Sequence, residues 1–353
     1  MVDVDDAGGN GPGLLERLRH GPVICAEGYL FEFERRGYLQ AGAFVPEVVL
    51  EHPDLVAQLH REFVHAGSDV VEAFTYYAHR EKLRLIGKEP LLEEMNRQAL
   101  AIAKEVAREE GALFAGDICN TNVFVGDDPS RQTVRAMFEE QVGWAADAGV
   151  DFIIAETFSH VDEALLALEV IKEAGYPAVV TMIAHQADTT RGGLGFGEAC
   201  KRLEDAGADV VGLNCGRGPE TLLPLLRDVR EAVSGHVAAL PVPYRTHEHQ
   251  PSFQSLREAN GNELPGGMPF PTALDPFTCN RYEIAQFAKD AHELGVRYIG
   301  LCCGAAPHHV RSLAEALGRT PPGSRYSPDM SKHAYFGTDK SLKAENREFA
   351  EEL

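Results

Sequence analysis

The chain has 353 residues, a formal net charge of -21 and a sequence pI near 5.1. This excess of acidic residues argues against a nucleic-acid partner, because contacts with phosphates need clustered Lys and Arg side chains. No apolar run approaches the roughly 20 residues that cross a bilayer, so the sequence also argues against a membrane protein.

The first 13 residues, MVDVDDAGGNGPG, are acidic and rich in glycine. They lack the basic start and the apolar middle of a signal peptide, so we interpret residues 1–13 as a disordered segment. The chain has seven cysteines, an odd number scattered along its length, which fits reduced thiols better than a disulfide framework. We therefore predict a cytoplasmic protein whose thiols are free to bind metal.

From residue 14 onward the sequence repeats one pattern, in which a helix-like stretch ends at Ala-Gly or a similar pair and a short apolar strand follows. Glycine suits the left-handed position just beyond a helix end, so the strand needs little linker. The segments with this pattern are HAGSDVVEAFTYY, EEGALFAGDIC, DAGVDFIIAET, EAGYPAVVTMI, DAGADVVGLNC, SGHVAALPVP and ELGVRYIGLCC. With PVICAEGYLF near the start, the pattern predicts about eight strands.

The predicted strands are short, β-branched and apolar on both faces, as buried parallel strands are. Amphipathic stretches such as 134–148 and 221–232 predict helices between them. Eight βα units in series predict an α/β protein with a (β/α)8 TIM barrel over residues 14–318. A doubly wound open sheet is the structural alternative. Residues 319–353 lose the repeat and end in SLKAENREFAEEL, so we interpret them as a C-terminal tail that serves as an oligomerisation arm.

The carboxyl ends of the predicted strands bring three thiols to one mouth of the barrel. Cys215 ends strand six, and Cys302 and Cys303 end strand eight, where Gly304 allows the chain to turn so that both sulfurs face one metal. Zinc prefers thiolate ligands in a tetrahedral shell, and three protein ligands leave the fourth position for substrate. The remaining cysteines are interpreted as small core residues, namely Cys25, Cys119, Cys200 and Cys279.

Two stretches around these cysteines, GLNCGRGPETL and IGLCCGAAPHHVRSLAEAL, resemble the zinc motifs of the homocysteine S-methyltransferases. GYLQAGAFVPEVVLEHPDLVAQLHREFVHAGSDVVEAFTYYA resembles the betaine-homocysteine S-methyltransferase branch, and RYSPDMSKHAYFGT is similar to part of the C-terminal extension of that branch. The resemblance covers roughly residues 14–318. It implies a barrel, a catalytic Zn2+ ion on Cys215, Cys302 and Cys303, and a thiol acceptor.

The resemblance also implies where the acceptor binds. Glu156 matches the glutamate of the family's IAE motif, which helps to bind the amino-acid end of homocysteine. The family usually has Asp-Gly-Gly at the end of strand one, where this chain has Ala26, Glu27 and Gly28. We hypothesise that Glu27 supplies the second carboxylate, which pairs with the buried ammonium of the acceptor.

A donor with a quaternary ammonium would be held by aromatic faces through cation–π attraction. Aromatic residues are grouped at the predicted ends of strands one and two, although simple packing is an equal alternative for Phe44 and Tyr76. Arg245 could meet a carboxylate of the donor or form a surface salt bridge. The full set of predicted substrate-binding residues is Glu27, Gly28, Tyr29, Phe44, Tyr76, Tyr77, Glu156 and Asn214. The segment RGGLGFG, residues 191–197, is interpreted as a mobile loop after strand five.

These features predict a zinc-dependent thiol S-methyltransferase that transfers a methyl group from a betaine-like quaternary ammonium donor to homocysteine and yields methionine. One alternative is a sulfonium donor, either S-methylmethionine or dimethylsulfoniopropionate. Another is a non-catalytic zinc-binding barrel. The predicted partners are these small molecules and further copies of the chain, in a homodimer or homotetramer.

Overall fold

The computed structural model describes residues 11–258, 264, 267–350 and 352–353 of the chain. Residues 1–10 of the predicted disordered segment lie outside the described residues. Within those ranges, no helix combines the length and the apolar character that crossing a membrane requires.

The described strands form one sheet that curls until its two ends meet. They are β1 (Val23–Ala26), β2 (Val70–Glu72), β3 (Leu113–Cys119), β4 (Phe152–Phe158), β5 (Ala178–Met182), β6 (Val210–Asn214), β7 (His236–Leu240) and β8 (Tyr298–Leu301). The order along the sheet is β1-β8-β7-β6-β5-β4-β3-β2, and all paired neighbours are parallel. At the remaining seam the backbone N–H of Asp69 donates to the carbonyl of Ile24 at 2.8 Å. The predicted barrel is therefore confirmed, and the doubly wound open sheet is excluded.

Helices lie between the strands along the chain. They are α1 (Leu14–His20), α2 (Tyr29–Arg35), α3 (Val48–Glu51), α4 (Pro53–Ala66), α5 (Arg80–Leu85), α6 (Leu92–Glu110), α7 (Asp128–Ala148), α8 (Val161–Glu173), α9 (Phe196–Asp205), α10 (Pro219–Ala232), α11 (Arg281–Glu293), α12 (Pro307–Ala316) and α13 (Ala344–Ala350). Short 3-10 helices cover Glu89–Leu91, Phe253–Ser255, Asp275–Phe277, Pro322–Tyr326 and Met330–Lys332.

Several boundaries differ from the sequence prediction, and for two of them a local hydrogen bond gives the reason. Helix α7 begins at Asp128, before the predicted start, because the Asp127 side chain caps it by accepting from the Ser130 N–H at 2.9 Å. Strand β2 ends at Glu72, before the predicted end at Tyr77, because the Thr75 N–H turns back to the Ala73 carbonyl at 2.7 Å.

Aspartates in three of the repeated segments, which read Ala-Gly-x-Asp, join the strands β2, β4 and β6 to their neighbours. The side chains of Asp69, Asp151 and Asp209 accept hydrogen bonds of 2.7 to 2.8 Å from the backbone N–H groups of Ile24, Phe114 and Ala178. The backbone N–H of each aspartate donates to the same neighbouring strand. Each aspartate therefore fixes the position and the direction of the strand that follows it. At the β1–β2 seam, Asp69 also pairs with Arg319 at 2.6 Å.

Apolar side chains fill the lower half of the barrel interior. Leu14 and Leu18 of α1 cover its amino-terminal end and belong to the same cluster as Phe152 and Tyr298. This packed interior leaves only the carboxyl end of the barrel open for a site. Beyond α12 the tail leaves large apolar side chains exposed, namely Tyr326, Met330, Tyr335, Phe336 and Phe349.

Candidate active site

Three cysteine sulfurs meet at the carboxyl end of the barrel. Cys215 directly follows β6, and Cys302 and Cys303 directly follow β8. All three sulfur atoms lie within 4.8 Å of one another, and those of Cys302 and Cys303 are 3.9 Å apart. Cys215 adopts a left-handed φ of 54°, which turns the chain out of the strand just where its sulfur joins the others. The trio could hold one metal ion.

Glycine makes the convergence of adjacent cysteines possible. Gly304 has a φ of 94°, and a Cβ atom there would collide with the ring of Tyr244. The chain can therefore bend immediately after Cys303 without displacing a buried aromatic ring. Gly28 has a similar role, because a Cβ at that position would collide with the carbonyl oxygen of Ala305.

The three thiols share hydrogen bonds in a way that favours ionisation of one of them. Hydrogen bonds from Cys302 and Cys303 hold the pKa of Cys215 well below its ordinary value. Burial, with the same interactions, raises the pKa of Cys302. A sulfur that is readily ionised amid two further sulfurs is suited to binding a metal cation.

Four carboxyl groups lie inside the barrel beside the cysteines. Glu27, Glu72, Asp117 and Glu156 come from the first four strands or the residue just after them, and each is at most 6% exposed. One oxygen each of Glu72, Asp117 and Glu156 lie within 4.8 Å of one another. Glu27, Glu72 and Asp117 each have one buried oxygen without a hydrogen-bond partner. The cluster is therefore suited to a positively charged ligand group.

Burial and mutual repulsion both disfavour ionisation of this cluster. Burial raises the pKa of Glu27 well above its ordinary value, and the charge of Glu156 adds to the effect. Burial and the charges of Glu27, Asp117 and Glu156 act in the same way on Glu72. Burial raises the pKa of Glu156 to about 8, although hydrogen bonds from Thr157 and Asn214 oppose the rise. A cation would relieve the repulsion and favour the ionised forms.

Asn214 connects the carboxyl cluster to the cysteines. Its side-chain amide donates to Glu156, lies 3.4 Å from Glu27, and donates to the hydroxyl of Thr157 at 3.0 Å. Its carbonyl oxygen accepts from the Thr157 N–H at 3.1 Å. Because Cys215 is the next residue, the position of the sulfur and that of the carboxylates depend on one another.

Two cavities meet at the cysteines. The smaller encloses about 20 Å³ and is lined by the four carboxyl groups together with Tyr29, Leu30, Ala73, Phe74, Tyr76, Thr157 and the three cysteines. The larger encloses about 250 Å³ and also has Cys215 and Cys303 in its wall. A free space of 20 Å³ is about that of one water-sized group, so the smaller cavity fits a single ammonium group rather than a whole second substrate.

Aromatic rings form much of the wall of the larger cavity. They are those of Phe31, Phe44, Tyr76, Tyr77, Phe253 and Phe270. The described lining contains no Asp or Glu. This is a wall that suits a quaternary onium group, which needs aromatic faces and makes no hydrogen bonds.

Tyr29 does not line the larger cavity, whereas Phe44, Tyr76 and Tyr77 do. It lies in the first turn of α2, is 3% exposed and packs its ring edge-on against His60 and Phe63. It lines the small acidic cavity rather than the large one. Tyr29 therefore lies beside the carboxyl cluster, because the helix that begins at Tyr29 turns the ring toward α4.

Some site residues escaped the sequence interpretation. Glu72 and Asp117 were not singled out, although a carboxyl residue within an apolar strand is a signal that could have found them. Phe31, Phe253 and Phe270 were missed because they come from a helix and loops without a recognisable pattern. Arg245, a candidate for a donor carboxylate, pairs instead with Glu283 at 2.7 Å on the outside of the barrel.

The remaining cysteines do not join the trio. Cys200 lies in α9 with its sulfur 3.8 Å from the Gly212 carbonyl, and the sulfur of Cys119 accepts from the Tyr77 N–H at 3.3 Å. Cys279 is buried beside α11. Cys25 lies inside the barrel, where its sulfur is within 4.8 Å of carboxyl oxygens of Glu27 and Glu72.

Comparison with known proteins gives a consistent result. A sequence model of the homocysteine S-methyltransferase family matches residues 28–317. Betaine–homocysteine S-methyltransferase 1 of Xenopus tropicalis is 39% identical over 342 residues, which cover 92% of this chain and 80% of that protein. The S-methylmethionine–homocysteine S-methyltransferase of Pongo abelii is 38% identical over 335 residues, and the match covers 92% of this chain and 86% of that protein.

The fold also matches a solved structure. The metallated form of the homocysteine methyltransferase MmuM from Escherichia coli superimposes with a TM-score of 0.64 at 17% identity. The match covers 84% of this chain and 97% of that one. At this identity the likeness concerns the barrel.

Proposed function

The chain belongs to the homocysteine S-methyltransferase family, and on that premise we propose that it transfers a methyl group from an onium donor to the sulfur of homocysteine, which yields methionine. One observation carries the proposal, namely that a small acidic cavity and a larger aromatic one share Cys215 and Cys303 in their walls. The first suits the ammonium of an amino-acid thiol, and the second suits an onium methyl donor.

We infer that the metal of the trio is Zn2+, with Cys215, Cys302 and Cys303 as its ligands. Three thiolates bound tetrahedrally at 2.3 Å from one zinc would be about 3.8 Å apart. The observed separation of 3.9 Å between the sulfurs of Cys302 and Cys303 supports this fit. When bound, zinc would lower the pKa of the acceptor thiol, which is otherwise mostly protonated at neutral pH.

On the acceptor side, the chain's own residues orient homocysteine. Glu156 and Glu27 are placed to pair with its ammonium group, and Asn214 holds the two carboxylates close together. The small size of the cavity excludes bulk water, which strengthens the charge pairing. The thiol of an acceptor anchored in this way lies on the side of the cysteines.

On the donor side, the aromatic rings hold the onium group with one methyl toward the acceptor sulfur. The sulfur forms a bond to the methyl carbon while the bond from carbon to the onium nitrogen breaks, and the electron pair stays on nitrogen. The leaving amine is neutral, so the step needs no general acid. This agrees with the described lining of the larger cavity, which offers no Asp or Glu side chain to protonate a leaving group.

Two donor classes fit the aromatic cavity. Relatives at nearly equal identity are named for betaine and for S-methylmethionine, a quaternary ammonium and a sulfonium. We propose the betaine-like ammonium as the donor and keep a sulfonium, including dimethylsulfoniopropionate, as the alternative.

The test is to incubate the zinc-loaded protein with homocysteine and a panel of onium donors and to follow product mass. The control is a Cys215→Ala variant at the same concentration. Methionine formation with wild type alone supports the proposal. Zinc retention without methyl transfer from any donor would indicate the non-catalytic barrel instead.

We also propose that the protein is a cytoplasmic homodimer or homotetramer with the tail as its oligomerisation arm. The exposed apolar side chains beyond Tyr326 support this role. A chain ending at Ser327 keeps Arg319 and its contact with Asp69, so it should fold. Light scattering should show a smaller assembly than the full chain forms, and an unchanged mass would contradict the proposal.

A further inference from the structure

The rim of the aromatic cavity carries one arginine that forms no ion pair. Arg191 lines the cavity, and its guanidinium has no carboxylate partner within 4.0 Å among the described residues. Other arginines near the same face are occupied. Arg217 pairs with Asp188 and donates to three backbone carbonyls of the preceding loop, and Arg245 pairs with Glu283. Arg191 is therefore available to a ligand.

The backbone around Arg191 is well fixed for a binding residue. Its N–H donates to the carbonyl of Ser159 at 2.9 Å, which joins the segment after β5 to the segment after β4. The turn that follows is closed by a hydrogen bond from the Thr190 N–H to the Leu194 carbonyl at 2.8 Å. Residues 191–195 of the predicted mobile loop form a hydrogen-bonded turn, and residues 196 and 197 belong to α9.

Arg191 is an exposed side chain on the rim of the cavity, and no acidic side chain of the described lining neutralises its charge. Since the described lining includes no Asp or Glu and no Lys or other Arg, this guanidinium is its one charged side chain apart from the proposed metal ligands. A cavity with aromatic walls and a single cation at its rim complements a molecule with an onium head and an anionic end.

We propose that Arg191 binds the carboxylate of the methyl donor, so that the donor is a zwitterion with one onium group and one carboxylate. This inference rests on the proposed function and narrows its donor class. A donor that also carries a primary ammonium, as S-methylmethionine does, would bring that charge beside a guanidinium with no described carboxylate to pair with it. The site therefore prefers a donor that has an onium group and a carboxylate but no primary ammonium, as betaine and dimethylsulfoniopropionate do.

The experiment compares two ligands that share an onium head, betaine and tetramethylammonium, which lacks the carboxylate. Their dissociation constants are measured by calorimetry with the zinc-loaded wild type and with Arg191→Ala and Arg191→Lys. Arg202→Ala is the matched control, since Arg202 lies on the outside of α9 and pairs with Glu198. Methyl transfer to homocysteine is measured in parallel.

Arg191→Ala should weaken betaine binding about tenfold to a hundredfold, as loss of a hydrogen bond to a charged group does. The dissociation constant of tetramethylammonium should stay within about twofold of the wild-type value. The dissociation constant of betaine for Arg191→Lys should lie between those for wild type and Arg191→Ala, because a lysine keeps the charge but not the planar fork. Equal effects on both ligands, or no effect on betaine, would overturn the assignment. Arg191-dependent betaine binding without any methyl transfer would support the carboxylate site and overturn the proposed function.

Discussion

The side-chain amide of Asn214 donates a hydrogen bond to the carboxylate of Glu156 across the mouth of the barrel. The two residues come from β6 and β4, which are not neighbours in the sheet. The hydrogen bond therefore crosses the site and is not part of the strand ladder. Asn214, its donor, is the residue before Cys215. One amide therefore links the position of Glu156, the carboxylate proposed to bind the acceptor, to that of Cys215, a proposed metal ligand.

We expect Asn214→Ala to weaken use of homocysteine about tenfold to a hundredfold, because hydrogen bonds to charged groups contribute about 1.5–3 kcal/mol. The effect should appear mainly in the KM for homocysteine. Asn280→Ala is the control. Asn280 caps α11 on the surface, so this variant should be less stable but should keep the KM for homocysteine. An Asn214→Ala variant with unchanged KM for homocysteine would show that the amide does not position the acceptor.

Much of this site could be predicted from the sequence, because cysteines after apolar strands must gather at the carboxyl end of a barrel. The exact ends of strands could not, since the turn at Thr75 depends on a local hydrogen bond to Ala73. Because the predicted strand runs on to Tyr77, Glu72 is expected inside the strand and not at its end. Which way a helix faces also depends on packing, so the sequence does not show that the Tyr29 ring turns toward His60 and Phe63.

Each of Cys215→Ala, Cys302→Ala and Cys303→Ala should reduce bound zinc from one per chain to nearly none, because removal of any one leaves only two thiolates. Elemental analysis of protein dialysed against trace zinc measures this. Cys200→Ala, which removes a buried thiol in α9, should keep full zinc content. Circular dichroism should be unchanged in all four variants, since the barrel has a large core of its own. Full zinc content in any variant of the trio would remove that cysteine from the ligand set.

The carboxyl cluster should make the metal-free protein less stable as the pH rises. Burial, followed by neighbouring charges, raises the folded-state pKa of Glu72 and of Asp117 well above their ordinary values. Each of these two carboxyl groups then keeps its proton in the folded protein at pH values where it is ionised in the unfolded chain. Their contribution to the free energy of unfolding therefore falls as the pH rises above about 4, until their folded-state pKa values are passed.

Glu72→Gln should flatten that decline and raise stability near neutral pH, as measured by urea unfolding between about pH 5 and pH 8. Glu94→Gln on the exposed side of α6 serves as the control and should leave the slope unchanged. If the slopes of wild type and Glu72→Gln coincide, Glu72 is not protonated in the folded protein.

The β1–β2 seam depends on Asp69 more than other strand pairs depend on the matching aspartates. We expect Asp69→Ala to lower the free energy of unfolding by about 1.5–3 kcal/mol, because it removes a charged acceptor for the Ile24 N–H and the partner of Arg319. Asp209→Ala is the matched comparison and should cost less, since a regular ladder joins β5 and β6. Urea unfolding measures both, and an equal or smaller loss for Asp69→Ala would contradict this role of the seam.

The last prediction concerns Glu27, which stands one position beyond the place of the family's strand-one aspartate. Its carboxyl group lines the small acidic cavity, has one oxygen without a partner and lies 3.4 Å from the Asn214 amide. It is absent from the described lining of the aromatic cavity. Glu27→Gln keeps the shape and removes the charge, so use of homocysteine should weaken by roughly 1.5–3 kcal/mol, about tenfold to a hundredfold. Zinc content and the KM for the donor should not change, because neither depends on the charge that faces the ammonium group. If Glu27→Gln leaves homocysteine kinetics intact and instead shifts the preference among onium donors, Glu27 serves the donor, and Glu156 must hold the acceptor ammonium without it.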